Sequence, residues 1–491
     1  MESGNKLWER MLALLAIAAT ALLVFFGNGL EPQWPLMWFA PLPVLLYALC
    51  SSPWRTGIVA FLAMLLGCLN LWSYLRVLGA PHAVWFTMSS LIALVFALGV
   101  LLTRGLARCG RVWTAWFALP AGWVTFEFVR NLLWPHGSGG SIAYSQLNFL
   151  PFLQFASVAG PWGMAFVLML FPAGLALAIH LRKSQRGQAV RVLVATLGVT
   201  AVVLLFGVLR LGRRQPGAEV RVGIVASDVR RGIADPGEPA QQLFRQYAQQ
   251  AQDLTVEGAQ VVVMPEDLAV IVDPNIGPAD AIFQNIADQT GATLVIGMNH
   301  LSGVAPGSIR HNEARIYTPR AAVRSYDKEH LLPPFETSVF TPGTLRTHFD
   351  APGRAAGQTW GVAICKDLDF TQPARSYGRA DVGLLLAPAW DFQVDAFWHG
   401  HIAVMRAVED GFSLVRSARG GFLTVADDRG RILAETRSNS APFATLLATV
   451  PAGHDATLFQ MWGDWFGWFA VALLIIVCAR FALGLRSSPK N

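Results

Sequence analysis

Long apolar runs separated by short polar loops occupy the first 211 residues of the chain, and one more lies near its end. Runs of about 20 residues are typical of helices that cross a lipid bilayer, because that length of helix spans the hydrocarbon core. The pattern predicts eight spans. They lie near residues 8–26, 35–50, 56–75, 84–103, 113–133, 161–181, 191–211 and 463–483.

Residues 218–452 follow a different pattern, in which short apolar stretches alternate with stretches of helical character. "VRVGIVA", "AQVVVMP", "TWGVAIC" and "VGLLLAP" are typical of strands, whereas "PAQQLFRQYAQQAQDLTVEG" is typical of a helix. Continuous apolar strands indicate a sheet that is buried on at least one face, with helices packed on it. The pattern therefore predicts an α/β domain large enough for its own core.

The two patterns divide the chain into three parts. Residues 1–215 form an α-helical membrane domain with seven predicted spans, and residues 218–452 form the α/β domain. Residues 460–491 contain the last span and a short tail.

Positively charged residues concentrate in alternate loops between the predicted spans. Arg104 and Arg182 represent the richer, even-numbered loops, whereas the odd-numbered loops carry mainly Arg76 and Arg130. Lys and Arg accumulate in cytoplasmic loops, so the N-terminus and the even loops are predicted to be cytoplasmic. Seven spans then place the α/β domain on the opposite side, and the last span returns the tail to the cytoplasm.

Composition supports membrane residence. The mean hydropathy is +0.42, and 14% of the residues are charged, whereas soluble domains contain about a quarter. The net charge of +6 is spread over short clusters between apolar runs. This spread fits membrane topology better than a patch for nucleic acid, so no nucleic-acid partner is expected.

Three polar residues follow predicted strands in the α/β domain. Glu266 lies in "VVVMPEDLAV", Lys328 in "SYDKEHLLPPFE" and Cys365 in "GVAICKDLDF". Active sites of α/β sheets gather at strand ends, so these three side chains could converge. Cys365 is the one cysteine in the long polar stretch and has no local disulfide partner there.

The trio has a coherent chemistry. A carboxylate in a desolvated site can take the proton of a thiol, which makes cysteine an effective nucleophile. A lysine ammonium can stabilise the oxyanion that forms when a thiolate attacks a carbonyl. Taken singly, each residue has an ordinary alternative: Glu266 and Lys328 as solvated loop residues, and Cys365 as an inert buried thiol.

Glu, Lys and Cys in this order, each after an apolar strand, resemble the nitrilase superfamily. Because the domain lies between membrane spans, the chain more narrowly resembles the bacterial apolipoprotein N-acyltransferases. The resemblance includes "WPLMWFAPLPVLLYAL" and "WVTFEFVRNLLWP" in the membrane part, "MPEDLAV", "YDKEHLLPPFE" and "GVAICKD" in the α/β part, and "MWGDWFGWF" at the last helix.

The resemblance implies a fold, a location and a reaction. The fold would be an α-β-β-α sandwich on the periplasmic side of the bacterial inner membrane. The reaction would move an acyl chain from a phospholipid onto Cys365, and then to the N-terminal amine of a diacylglyceryl-lipoprotein. Glu266 would be the general base, Lys328 the oxyanion stabiliser, and Glu336 a second carboxylate that supports the lysine.

The resemblance implies no cofactor, and the protein is expected to act as a monomer in contact with the bilayer. The His399–His401 pair has too few partners for zinc, so no metal is expected.

Departures from the family pattern cluster near the predicted pocket. Lys366 replaces the usual aromatic residue after the cysteine, and Asp367 lies where the family usually has a glutamate. Asp367 is predicted to contact substrate, together with the aromatic residues Trp390, Phe392 and Phe335 in the flanking loops. Some of these aromatics would enter the outer leaflet, where such side chains prefer to lie; the alternative is that they belong to the core.

Three functions therefore stay open from the sequence. The leading hypothesis is the acyltransferase, either with a lipoprotein acceptor or with a different amine acceptor. The second is a membrane-tethered amidase of the nitrilase type that hydrolyses a small C–N bond; it would also form a thioester at Cys365, which water rather than an amine resolves. The third is a catalytically silent scaffold or transport component, which the complete Glu-Lys-Cys set disfavours.

Overall fold

The computed structural model describes residues 2–487 except 214, 216, 230, 231, 274 and 306. The chain forms two compact units. The helical unit comprises Met1–Leu133, Gly140–Leu211 and Asp464–Asn491, and the α/β unit comprises Trp134–Gly139 and Gly212–Gly463. The end of the predicted segment 460–491, from residue 488 onwards, lies outside the described residues.

The described elements are as follows. The α-helices are α1 (Glu2–Gly27), α2 (Trp34–Met37), α3 (Leu42–Cys50), α4 (Pro53–Gly67), α5 (Trp72–Val77), α6 (His82–Arg108), α7 (Val112–Leu133), α8 (Leu150–Leu153), α9 (Ala156–Leu181), α10 (Arg186–Leu211), α11 (Glu238–Val256), α12 (Ile276–Thr290), α13 (Thr371–Arg379), α14 (Ala396–Asp410), α15 (Leu458–Trp462) and α16 (Trp465–Ser487). The strands are β1 (Glu219–Ala226), β2 (Val261–Val263), β3 (Val270–Val272), β4 (Thr293–Leu301), β5 (Arg310–Tyr317), β6 (Arg324–Asp327), β7 (His348–Asp350), β8 (Thr359–Val362), β9 (Val382–Trp390), β10 (Ser413–Arg419), β11 (Phe422–Ala426), β12 (Ile432–Arg437) and β13 (Ala444–Pro451). Short 3₁₀ helices cover Cys68–Leu71, Ile142–Gln146, Gly353–Ala355 and Cys365–Asp369.

The helical unit contains fewer spans than the sequence predicts. Among the described residues, six helices rather than eight are long and apolar enough to cross a membrane, which makes this a multi-pass membrane protein. They are Leu7–Gly27, Pro53–Val77, His82–Arg108, Ala156–Leu181, Arg186–Leu211 and Trp465–Leu483.

Two of the predicted spans are wrong for physical reasons. The run at 35–50 is divided into α2 and α3, with Pro41 and Pro43 at the start of α3; proline lacks the N–H that a continuous helix needs. Helix α7 is 22 residues long, but its tryptophans, Glu127 and Arg130 make it less apolar than a typical span.

The α/β unit confirms the predicted α-β-β-α sandwich. Within the described part of the chain, seven strands form one sheet in the order β13-β1-β2-β4-β5-β6, with β3 paired to β4. Six strands form the second sheet in the order β12-β11-β10-β9-β8-β7. Strands β1, β2 and β4 run parallel, as do β8, β9 and β10.

Side-chain alternation along the buried strands builds the four layers. On β9, Leu384 and Leu386 join a core cluster that contains residues from both sheets. Leu385 faces the other way and packs with Tyr377 of α13 and Val404 of α14. Helices α11 and α12 cover the outer face of the first sheet in the same way, for example through Phe283. Both faces of each sheet are therefore buried, which explains why the strands are continuously apolar.

Candidate active site

Each residue of the predicted trio lies just beyond the end of a strand. Glu266 follows β2, Lys328 follows β6, and Cys365 follows β8. The backbone N–H of Glu266 donates to the carbonyl of Ala389 on β9 at 3.4 Å, which links the first sheet to the second. The strand ends therefore place Glu266 and Lys328 on one sheet and Cys365 on the other.

Lys328 lies between two carboxylates. Its Nζ atom is 2.6 Å from Oε1 of Glu266 and 2.8 Å from Oε1 of Glu336. The Nδ2 atom of Asn312 donates to the same two oxygens, at 2.6 Å and 2.9 Å. Glu266 and Lys328 are 2% and 3% exposed, so these charges interact with little screening by water.

Burial and the neighbouring charges set the protonation states of this cluster. Burial raises the pKa of Glu266 to about 7, with Lys328 acting against the rise and Glu336 adding to it. Burial alone would lower the pKa of Lys328, but Glu266 and Glu336 raise it well above its usual value. The lysine thus stays charged, and Glu266 is suited to exchanging protons near neutral pH.

Cys365 begins the short helix that follows β8, and its backbone φ of 41° lies in the left-handed region. The side chain is partly exposed, and its Sγ atom is 3.6 Å from the carbonyl oxygen of Trp390. Burial and the charge of Glu266 raise the pKa of the Cys365 thiol, whereas Lys328 lowers it. Cys365 therefore holds its proton at rest and needs a base to become a nucleophile.

Asp367 lies inside the fold. Its carboxylate accepts hydrogen bonds from the Tyr326 hydroxyl at 2.7 Å, the backbone N–H of Ile364 at 3.0 Å and that of His330 at 2.8 Å. Both oxygens are thus occupied in a fully buried position. This differs from the substrate contact expected from the sequence and supports a role in holding the turn of Cys365.

Lys366 is also buried. Its Nζ atom lies 3.6 Å from Oδ2 of Asp369 and 3.2 Å from Nδ1 of His136. His136 belongs to the Trp134–Gly139 segment of the α/β unit. Lys366 therefore connects the short helix of Cys365 to this segment.

The three aromatic residues of the predicted pocket are at least partly accessible. Trp390 is 37% exposed and Phe335 is 48% exposed. Phe335 precedes Glu336, and its ring centroid lies 6.3 Å from that of Phe392. The backbone carbonyl of Trp390 is the group that contacts the sulfur of Cys365.

Sequence reasoning missed several residues that build the site. Asn312 is one: it is a buried amide on β5, in "RHNEARIY", beside the inward-facing Ala314 and Ile316. A second omission is the fully buried pair of Arg416 and Asp391, whose two contacts measure 2.6 Å and 2.9 Å. For Arg416 the available signal was a charged residue inside the apolar stretch "FSLVRSA", whereas Asn312 lies in a largely polar strand and gave no such signal.

The geometry offers a proton acceptor, a fixed cation and a thiol. In the residues that the structure describes, no group of three or more His, Cys, Asp or Glu side chains is placed to hold a metal ion.

Comparison with known proteins gives two family matches. Residues 11–174 match the family described as the apolipoprotein N-acyltransferase N-terminal domain, and residues 238–453 match the carbon-nitrogen hydrolase family.

The chain also resembles whole curated proteins. It is 26% identical to an apolipoprotein N-acyltransferase from Geobacter metallireducens, with 95% of this chain and 94% of that protein covered. It is 26% identical to an apolipoprotein N-acyltransferase from Nitrosomonas europaea, with 96% and 98% covered.

Among solved structures, an amidase from Nesterenkonia sp. covers 49% of this chain and 94% of its own, at 21% identity and a TM-score of 0.40. A variant of the Nesterenkonia AN1 amidase from the nitrilase superfamily covers 52% and 99%, at 20% identity and a TM-score of 0.42.

Proposed function

Because the chain belongs to the apolipoprotein N-acyltransferase family, we propose that it transfers a fatty acyl chain from a phospholipid to the N-terminal amine of a diacylglyceryl-lipoprotein. The acyl chain would pass through a thioester on Cys365. One observation carries the proposal: Lys328 lies buried between two carboxylates, and its charge acts to lower the pKa of the partly exposed Cys365 thiol.

In the first step, Glu266 takes the thiol proton while the sulfur of Cys365 attacks the ester carbonyl of the phospholipid. The resulting oxyanion is stabilised by the Lys328 ammonium, which Glu336 holds in place; Asn312 in turn donates a hydrogen bond to the Glu336 carboxylate. The carbon–oxygen ester bond then breaks. Glu266 returns its proton to the departing alkoxide, so a lysophospholipid leaves and a thioester remains.

In the second step, the acceptor amine attacks the thioester carbonyl, and Glu266 takes a proton from its nitrogen. Lys328 again stabilises the oxyanion. The carbon–sulfur bond breaks, an amide forms, and the proton on Glu266 returns to the sulfur of Cys365. The site is then restored without any net change in its charge.

We further propose that the α/β unit faces the periplasm from the bacterial inner membrane and that the protein acts as a monomer. With the six spans found among the described residues, the loop that begins near Arg104 is the third rather than the fourth, so the alternation of Lys and Arg no longer identifies the side. The periplasmic location is proposed from the resemblance to the apolipoprotein N-acyltransferases.

Two alternatives differ in the acceptor. A small amide as the acyl donor and water as the acceptor would make the protein a nitrilase-type amidase, which the match to the carbon-nitrogen hydrolase family leaves open. A different amine would make it an acyltransferase with other clients. In both alternatives the thioester still forms at Cys365.

Intact-mass measurement of the purified protein after incubation with phospholipid tests the proposal. We expect a fatty-acyl adduct on the parent protein and on Cys478→Ala, a matched control in α16, and no adduct on Cys365→Ala. A lipopeptide with a free N-terminal amine should discharge the adduct as its amide. Discharge by water at the same rate would favour the hydrolase, and a Cys365→Ala protein that behaves like the parent would contradict the proposal.

A further inference from the structure

Arg419, at the end of β10, lies against two parts of the candidate site. Its guanidinium carbon is 3.4 Å from the ring centroid of Trp390, so the two planar groups are in close contact. Its Nη2 atom donates to the carbonyl of Asp267 at 3.2 Å, and Nη1 donates to the carbonyl of Gly232 at 3.1 Å. The side chain is 4% exposed.

The contacts of Arg419 with Asp267 and with Trp390 each involve a residue next to a proposed reacting group. Asp267 follows Glu266 in the chain and has a left-handed φ of 51°, so its peptide group helps to fix the direction of the preceding side chain. Trp390 carries the carbonyl that contacts the sulfur of Cys365 at 3.6 Å. One buried side chain therefore connects the turn of the proposed base with the residue beside the proposed nucleophile.

The Asp267 turn is also held from its other side. The amide of Asn299 donates to the Asp267 carboxylate at 2.9 Å, and the Asn299 oxygen accepts from Nε of Arg310. With Asn299 on one side and Arg419 on the other, the turn has little freedom to move. Removing one support should therefore displace the turn.

We propose that Arg419 is a positioning residue for acylation: it fixes the turn of Glu266 relative to Cys365 and holds the Trp390 indole as a wall for the acyl chain. The inference rests on the proposed acyl transfer for the role of the wall. The position of the base can be tested without a lipid.

The guanidinium plane distinguishes arginine from lysine here. A lysine keeps the positive charge but cannot lie flat on the indole while donating from two separate nitrogens. In Arg419→Lys we expect the acylation rate constant to fall about tenfold or more, because displacing a reacting group even slightly is costly. The KM for the phospholipid should rise in parallel, because the wall is no longer fixed.

A double-mutant cycle tests the connection. Trp390→Leu removes the ring on which Arg419 lies. If the two residues act together, the second substitution should add little to the first. The acylation rate constant of the double variant, Arg419→Lys with Trp390→Leu, should then lie within about threefold of that of the more impaired single variant. Rate losses that multiply would overturn the proposal. If Arg419→Lys folds poorly, Trp390→Leu is measured alone: it removes the ring on which Arg419 lies, so alkylation of Cys365 should be slower than in the parent, and a parent-like rate would overturn the proposal.

Alkylation of Cys365 by iodoacetamide separates this inference from the proposed function. The reaction needs the base and the sulfur but no lipid, so we expect it to slow about tenfold in Arg419→Lys, whether or not an acyl adduct forms. A purely structural role would lower the fraction of reactive protein and leave the rate constant and the KM unchanged, which would overturn the inference.

Arg324→Lys is the matched control for these measurements. Arg324 makes another cation–π contact, 5.8 Å from the ring centroid of Phe349. It lies at the start of β6, whereas Lys328 follows the strand's end, about 13 Å away along the chain. Its substitution should leave both rate constants as in the parent, and equal losses in the two variants would overturn the proposal.

Discussion

Removing the charge of Glu336 should lower the pH at which the site becomes active. In the variant Glu336→Gln the side chain keeps its size and can still accept a hydrogen bond from Lys328, but the second negative charge beside Glu266 disappears. Because that charge contributes to the raised pKa of Glu266, its loss should make the base easier to deprotonate.

The size of the shift follows from the geometry. The two Oε1 atoms lie 2.6 Å and 2.8 Å from the same Nζ atom, so they cannot be more than about 5 Å apart. At an effective dielectric constant of about 20, two unit charges about 5 Å apart repel by about 3 kcal/mol, or about two pH units. The Glu336 side chain is 14% exposed, so water screens part of this repulsion and we expect about one pH unit.

The assay is the rate constant for acylation of Cys365, measured by intact mass after rapid quenching across a range of pH. The base must be deprotonated to act, so in the parent the rate should rise as the pH increases through the Glu266 pKa of about 7. In Glu336→Gln the midpoint should fall to about pH 6. Glu257→Gln, on an exposed part of the chain, is the control and should keep the parent midpoint.

A midpoint in Glu336→Gln that is unchanged or higher, with the control behaving as the parent, would refute this reasoning. It would mean either that the charge of Glu336 does not raise the pKa of Glu266 or that the protonation of Glu266 does not control the rise of the acylation rate constant with pH. Alkylation of Cys365 at the same pH values decides between these outcomes, since it reports the base without any lipid.

Three further variants test separate parts of the site. Asn312→Ala removes the donor shared by the two carboxylates, and hydrogen bonds to charged groups contribute about 1.5–3 kcal/mol. The acylation rate constant should therefore fall at least about tenfold while the KM for phospholipid stays constant. A parent-like rate constant would contradict this prediction. Asp367→Asn replaces an acceptor with a group that also donates, so thermal unfolding should occur about 5 °C lower; an unchanged Tm would argue against its role in holding the turn. Replacing Trp390 and Phe392 together with serine should raise the KM for phospholipid at an unchanged Tm, and unaltered donor kinetics would reject their role in binding the acyl chain.

The two-part architecture was predictable from the sequence because it depends on local patterns. Long apolar runs and short apolar strands are visible without knowledge of distant contacts, and both the class and the α-β-β-α layers are confirmed. The number of spans could not be predicted correctly, since the length of an apolar helix alone does not separate a membrane span from a buried helix. Glu127 in α7 shows this: it lies within an apolar run but is held by Trp123, Ser141 and Ile142 of the same unit.

The candidate site was predictable only in part. Glu266, Lys328 and Cys365 stand out because each is a reactive type just after a strand, and strand ends meet. Asn312 and Arg419 do not stand out, because their importance arises from partners that are far away in the sequence. Asp367 could not be placed either, since a carboxylate that accepts three internal hydrogen bonds has the same local sequence as one that faces a substrate.

The left-handed backbone of Cys365 has a consequence for protein engineering. A residue other than glycine in this region is strained by about 1 kcal/mol or more, so Cys365→Gly should unfold at a higher temperature than the parent while losing all acyl transfer. A screen that selects for heat resistance alone would therefore enrich glycine at position 365, where the proposed acyl transfer requires the cysteine thiol. Directed evolution of this scaffold should consequently screen for turnover and thermal tolerance together.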